Sequence, residues 1–146
     1  MDINNLVCLM HETNHRMHEI KNIALEKIGI TFSQMLVIRF LAGNKGNVNQ
    51  KAIQNRMNIK GSSVTSLLNT MQKGGLITKE VNPLDAREFY VKLTEKGKDT
   101  SCKIKKILTD IDDKAMQALT AEEKDVMRSL LTKIIDRLSN GEIDND

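Results

Sequence analysis

A chain of 146 residues, 40% apolar and 28% charged, is long enough for one ordinary soluble domain and too apolar for a disordered one. Two cysteines, Cys8 and Cys102, make no disulfide framework and fit a reducing cytoplasm. No apolar run approaches the roughly 20 residues of a membrane span, and residues 1–10 lack the basic start and apolar run of a secretory leader. The net charge of +3 is uneven, since Lys45 to Lys98 carries ten Lys and Arg against four acids, leaving twelve against fifteen elsewhere. A basic middle between slightly acidic ends suggests a middle that meets a polyanion. Aromatic residues are only 3%, with no Trp, so stacking platforms for single strands are lacking and duplex DNA fits better.

In chain order, residues 3–28 read as a first helix, with Ile3, Leu6, Val7, Met10, Met17, Ile20, Ala24 and Ile28 at three- and four-residue spacings. Gly29 stops it. This helix carries HETNH (11–15), a His-Glu-x-x-His pattern that places His11 and His15 on one helical face, as zinc peptidases require. A peptidase also needs a third ligand and a catalytic cleft, and no such set accompanies the motif. Cys8, His11 and His15, at i, i+3 and i+7, form a second possible metal set. The bland alternative is that these are ordinary polar side chains on a helix surface or at a dimer interface.

Thr31-Phe-Ser-Gln34 is a capping box that opens a second helix, MLVIRFLA, ending before Gly43. GNKGN (43–47) reads as a loop, and Asn49 caps a short third helix, QKAIQNRM. NIKG turns the chain into a fourth helix, SSVTSLLNTMQK, with Val64, Leu67, Leu68 and Met71 on its core face and Gly74-Gly75 as its stop. The period then changes to two. LITKEV and EFYVKL read as strands about a turn NPLDAR, with Phe89, Val91 and Leu93 on one face. Thr94 caps a long fifth helix with Ile104, Ile107, Leu108, Ile111, Ala115 and Leu119 as its stripe. Thr120-Ala-Glu-Glu123 opens a sixth helix carrying Val126, Met127, Leu130, Leu131, Ile134, Ile135 and Leu138. The polar tail, 141–146, is expected to fray.

Helix, short helix, turn, helix and two-stranded ribbon spell a winged helix-turn-helix. Asp85-x-Arg87 followed by Leu93-Thr94-x-x-Gly97, with Pro83 in the turn and KGGLI (73–77) before it, resembles the multiple-antibiotic-resistance regulator (MarR) family over essentially the whole chain. The resemblance implies a mainly α fold with a minor β part: one domain whose winged helix-turn-helix (31–94), with its two-stranded β-wing, is flanked by dimerisation helices (1–30 and 95–140). It implies a cytoplasmic, homodimeric DNA-binding regulator, a repressor released by a small-molecule effector and needing no cofactor. Such effectors often lie between the dimerisation helices and the DNA module.

The fourth helix would then lie in the major groove. Ser62, Thr65, Ser66 and Asn69 are the candidate base readers, since hydroxyls and amides can bond to base edges. Lys51, Lys60, Lys73 and Lys79 are candidate phosphate contacts, and Arg87, oriented or braced by Asp85, is the expected minor-groove residue. Family arginines near Ser66 and Thr70, and a second basic residue at Ala86, are missing here, so fewer phosphate contacts are expected. Dimerisation falls to Ile3, Leu6, Met10, Ile111, Leu130, Leu131, Ile134 and Leu138. A metal- or redox-responsive regulator using Cys8, His11 and His15 stands as the alternative, and a zinc metallopeptidase as the distant one.

Overall fold

The structure, a computed structural model, describes residues 5–139. Ile3 and the 141–146 tail lie outside the described residues. The chain divides into two compact units, one ending at Leu108 and the other beginning at Thr109.

In the first unit, α1 (Leu6–Glu26) starts where the Asn5 side chain accepts from the amides of Val7 and Cys8. Gly29, at φ 71, turns the chain out of it, a conformation that suits a residue without a Cβ. The helix α2 (Phe32–Gly43) opens on the expected box: Gln34 N–H donates to Thr31 Oγ1 at 3.2 Å and Thr31 N–H to Gln34 Oε1 at 3.0 Å. Asn49 caps α3 (Gln50–Met57) through the amide of Ala52. Asn58, left-handed at φ 51, makes the turn into α4 (Gly61–Lys73). Asparagine tolerates that region better than most residues.

The sheet differs from the sequence reading in two respects. After the loop at 43–47, Val48–Asn49 form a short strand, β1, paired antiparallel with Tyr90–Val91. Two residues carry no readable period. The sheet is three-stranded, with the strand 85–93 in the centre between β1 and the strand 77–82. The turn of the wing is also tighter than NPLDAR, because β2 (Ile77–Asn82) and β3 (Asp85–Leu93) leave only Pro83 and Leu84 between them. From the pair Val81↔Phe89 to the pair Asn82↔Asp85, β2 advances one residue and β3 four. Ala86, Arg87 and Glu88 are therefore without partners on β2, as a bulge within an extended strand.

The core of this unit joins Leu25, Val37, Ile38, Ile53, Val64, Leu68, Met71, Ile77, Val91 and Ile104, all nearly inaccessible to water. Burial of such side chains stabilises by about 1.5–3 kcal/mol each. On α4, Val64, Leu68 and Met71 face inward as their spacing predicts. On α1 the expected stripe does not enter this core. Leu25 alone is buried there, while Leu6, Met10 and Ile20 are exposed. Periodicity reports an apolar face without saying what covers it.

The helix α5 (Glu95–Met116) begins where Thr94 Oγ1 accepts from Gly97 N–H and donates to Gly75 C=O at 2.6 Å. In the second unit, α6 (Ala121–Ser139) opens on the Thr120–Glu123 box. The Glu122 carboxyl is held below its usual range by its own backbone N–H and by the Thr120 hydroxyl. Among the described residues, no helix is long and apolar enough to cross a membrane.

Candidate nucleic-acid interface

The core face of α4 fixes its opposite face outward. Ser62, Thr65, Ser66, Asn69 and Lys73 are all exposed, as are Lys51 on α3 and Lys60 in the turn. No side chain caps the start of α4, so its first amides keep the donor capacity that helix N-termini offer to anions. The four candidate readers differ in how they are held. Gln50 of α3 donates to Thr65 Oγ1 at 2.7 Å, and Thr65 donates in turn to Gly61 C=O at 3.0 Å. The single hydroxyl proton of Thr65 is thus committed, and this residue braces α3 against α4. Among the described residues, Ser62 shows no such tie, and Ser66 lends only its carbonyl, to the Thr70 hydroxyl.

Asn69 is tied to the wing. Lys79 Nζ donates to Asn69 Oδ1 at 2.6 Å, joining β2 to the exposed face of α4. The amide nitrogen of Asn69 keeps its two donors, and Oδ1 keeps a second lone pair. The contact spans ten residues and has no local signal in the sequence.

On the wing, Asp85 Oδ1 accepts from the backbone N–H of Arg87 at 2.9 Å. This bond ties the Asp85 carboxylate to the backbone of the segment that carries Arg87. Arg87 sits in the bulge, exposed, and its guanidinium makes no ion pair among the described residues. Bulges re-aim side chains out of the ladder. Behind it, Glu88 accepts from Asn82 Nδ2 at 3.2 Å and from Asn49 Nδ2 at 3.5 Å, a three-residue tie that the sequence did not reveal.

The HETNH segment is arranged otherwise. His11 and His15 are exposed, His15 Nε2 lies 3.5 Å from Glu19, and Glu12 is paired with Arg16. His18 packs its ring against Phe32 with centroids 4.8 Å apart. Among the described residues, no three of His, Cys, Asp and Glu come together as a metal-ligating group, so Cys8, His11 and His15 are not assembled into one.

A family model described as the MarR family matches residues 28–88 of the chain. The HTH-type transcriptional regulator MgrA of Staphylococcus aureus is 29% identical over 116 residues, covering 78% of this chain and 76% of that protein. A MarR-like transcription regulator from Bacillus cereus has a crystal structure that superposes with a TM-score of 0.80 at 28% identity, covering 91% of this chain and 95% of that one. The transcriptional repressor CouR, solved on a 23-mer DNA duplex, shares the fold with a TM-score of 0.76 at 23% identity, over 90% and 92% of the two chains.

Proposed function

Because the chain belongs to the MarR family of helix-turn-helix transcription regulators, we propose that it is a repressor working as a homodimer in the cytoplasm and released by a small ligand. It binds duplex DNA and is not an enzyme. Each protomer lays α4 in the major groove and the wing in the adjacent minor groove, so that two half-sites are docked together. The observation that carries this reading is the single surface formed by the exposed face of α4 and the wing, joined by the Lys79–Asn69 bond and ending on the bulged Arg87.

Ser62, Ser66 and Asn69 read base edges, and Thr65 holds α3 and α4 in register. Lys51, Lys60, Lys73 and Lys79 meet phosphates; Asp85 braces the turn that presents Arg87. The apolar face left exposed on α1 by Leu6 and Met10, with Leu130, Ile134 and Leu138 on α6, supports the dimer, as do the half-buried Ile111 and Leu131. A cleft of about 850 Å³ between the α2–β1 loop, β3 and α5, lined by Leu41, Val48, Val91, Lys98 and Cys102, is the candidate effector site, a size suited to a small organic molecule.

The test is a salt titration on duplexes selected from a random pool and on scrambled ones. Arg87→Ala should weaken both by a similar factor and lower the slope of log K against log salt by about 0.9. Asn69→Ala should cost on the order of 1–3 kcal/mol on the selected duplex and much less on the scrambled one. Equal affinities and slopes for wild type and Arg87→Ala would remove the wing from the interface.

A further inference from the structure

The tip of the wing exposes an apolar side chain that the fold holds still. Leu84 is 93% exposed, in the two-residue loop between Asn82 and Asp85. The buried Asn82 accepts from Leu84 N–H at 2.9 Å through Oδ1, while its Nδ2 donates to Glu88. The other oxygen of Glu88 accepts from Asn49, which caps α3. The loop is thereby tied through two side chains to the base of the module, and Pro83 fixes one more backbone angle. A lone surface leucine on a soft loop would mean little. This one ends a braced lever.

The apolar surface also continues down the wing on the side that faces α4. Lys79 reaches Asn69 of that helix. Val81, two residues further along β2, lies on the same face as Lys79, opposite Phe89. Val81 is 55% and Phe89 44% exposed. The strip therefore joins the DNA surface already described.

Its charge does not suit a phosphate clamp. From Glu80 to Val91 the only cation is Arg87, against Glu80, Asp85 and Glu88. All three carboxylates are engaged: Glu80 by Lys92 at 2.6 Å, Asp85 by the Arg87 backbone, and Glu88 by two amides. What remains to offer DNA is one guanidinium and an apolar edge. A minor groove accepts both, since its potential attracts arginine and apolar side chains can wedge between its base steps.

We propose that Leu84 is an apolar wedge that enters the minor groove beside Arg87 and bends the duplex there, favouring flexible pyrimidine–purine steps. The proposal rests on the DNA-binding reading above. It assigns the wing a part in sequence choice that needs no hydrogen bond to a base.

The experiment uses the full chain and a duplex that the wild type selects from a random pool, with dyes at both ends to report bending. Leu84→Ala should lose roughly tenfold or more in affinity, the fold-change expected for losing the burial of a leucine side chain. It should bend the duplex less, keep the wild-type salt slope, and melt at the wild-type temperature. Leu84→Met should restore affinity and bend. Changing the step beneath the wing from TA to AA should weaken the wild type more than Leu84→Ala. Wild-type affinity and bend in Leu84→Ala would overturn the wedge and leave the tip to solvent or to a protein. So would a loss matched by a reduced salt slope. A wild type that selects no duplex would instead sink the underlying reading, and the wedge with it.

Discussion

Replacing Gly97 with alanine adds one methyl group at the point where α5 crosses the base of the wing. A Cβ built on Gly97 would stand 2.1 Å from the carbonyl oxygen of Leu76 and 3.1 Å from a Leu93 methyl. The nearer atom is backbone and cannot swing aside. It also accepts from Thr94 N–H at 3.1 Å, so moving it strains the bond that seats the cap of α5. Two effects oppose each other. Alanine favours a helix over glycine by at most about 1 kcal/mol, whereas overpacking costs about 1–3 kcal/mol and a weakened hydrogen bond about 1 more. The net expectation is a loss of about 2 kcal/mol, or a melting point lower by roughly 4–8 °C for a chain of this size. Thermal melts followed by circular dichroism at one fixed protein concentration measure it, because a dimer's melting point depends on concentration. Gly43→Ala is the control, since nothing lies within 4 Å of its Cβ. If Gly97→Ala melted at or above the wild type, the close approach would be wrong, and with it this physical account of the Leu-Thr-x-x-Gly motif.

Two further expectations concern the flanking helices. Leu130→Asp or Ile134→Asp places a charge on an exposed apolar face of α6, so it should leave helicity intact while weakening self-association and operator binding; sedimentation of the wild type as a monomer at micromolar concentration would refute it. His11→Ala with His15→Ala should leave metal-free DNA binding unchanged, and zinc that co-purified stoichiometrically and vanished in the double variant would restore the metal-responsive alternative.

What the sequence made legible was local. The boxes at Thr31–Gln34 and Thr120–Glu123 and the Asn49 cap are short-range hydrogen bonds between residues three apart, so they can be read from spacing alone. The core face of α4 was legible because one buried side of a helix repeats every three to four residues. The ties that shape the interface join distant segments: Gln50 to Thr65, Lys79 to Asn69, and Asn49 to Glu88. Each of those residues is an unremarkable polar side chain in sequence. The bulge at Ala86–Glu88 was hidden for another reason, because it depends on the register between two strands and not on either strand alone.

The pairing of Val48 with Val91 closes the stretch of chain that carries the proposed DNA contacts. Everything that touches DNA in the proposed arrangement, from Lys51 through α4 to Arg87, lies in the stretch of chain closed by that pair. Of the outward residues of α4, Ser62 and Ser66 can vary without touching the core, whereas Thr65 and Asn69 are tied to Gln50 and Lys79. An engineer grafting only α4 and its turn would carry the readers without Gln50, Lys79 or Asn49, and so without the residues that aim them. The stretch from β1 to the end of β3 carries the readers with their ties, but its core is completed by Leu25, Val37, Ile38 and Ile104, so a graft must bring those partners too.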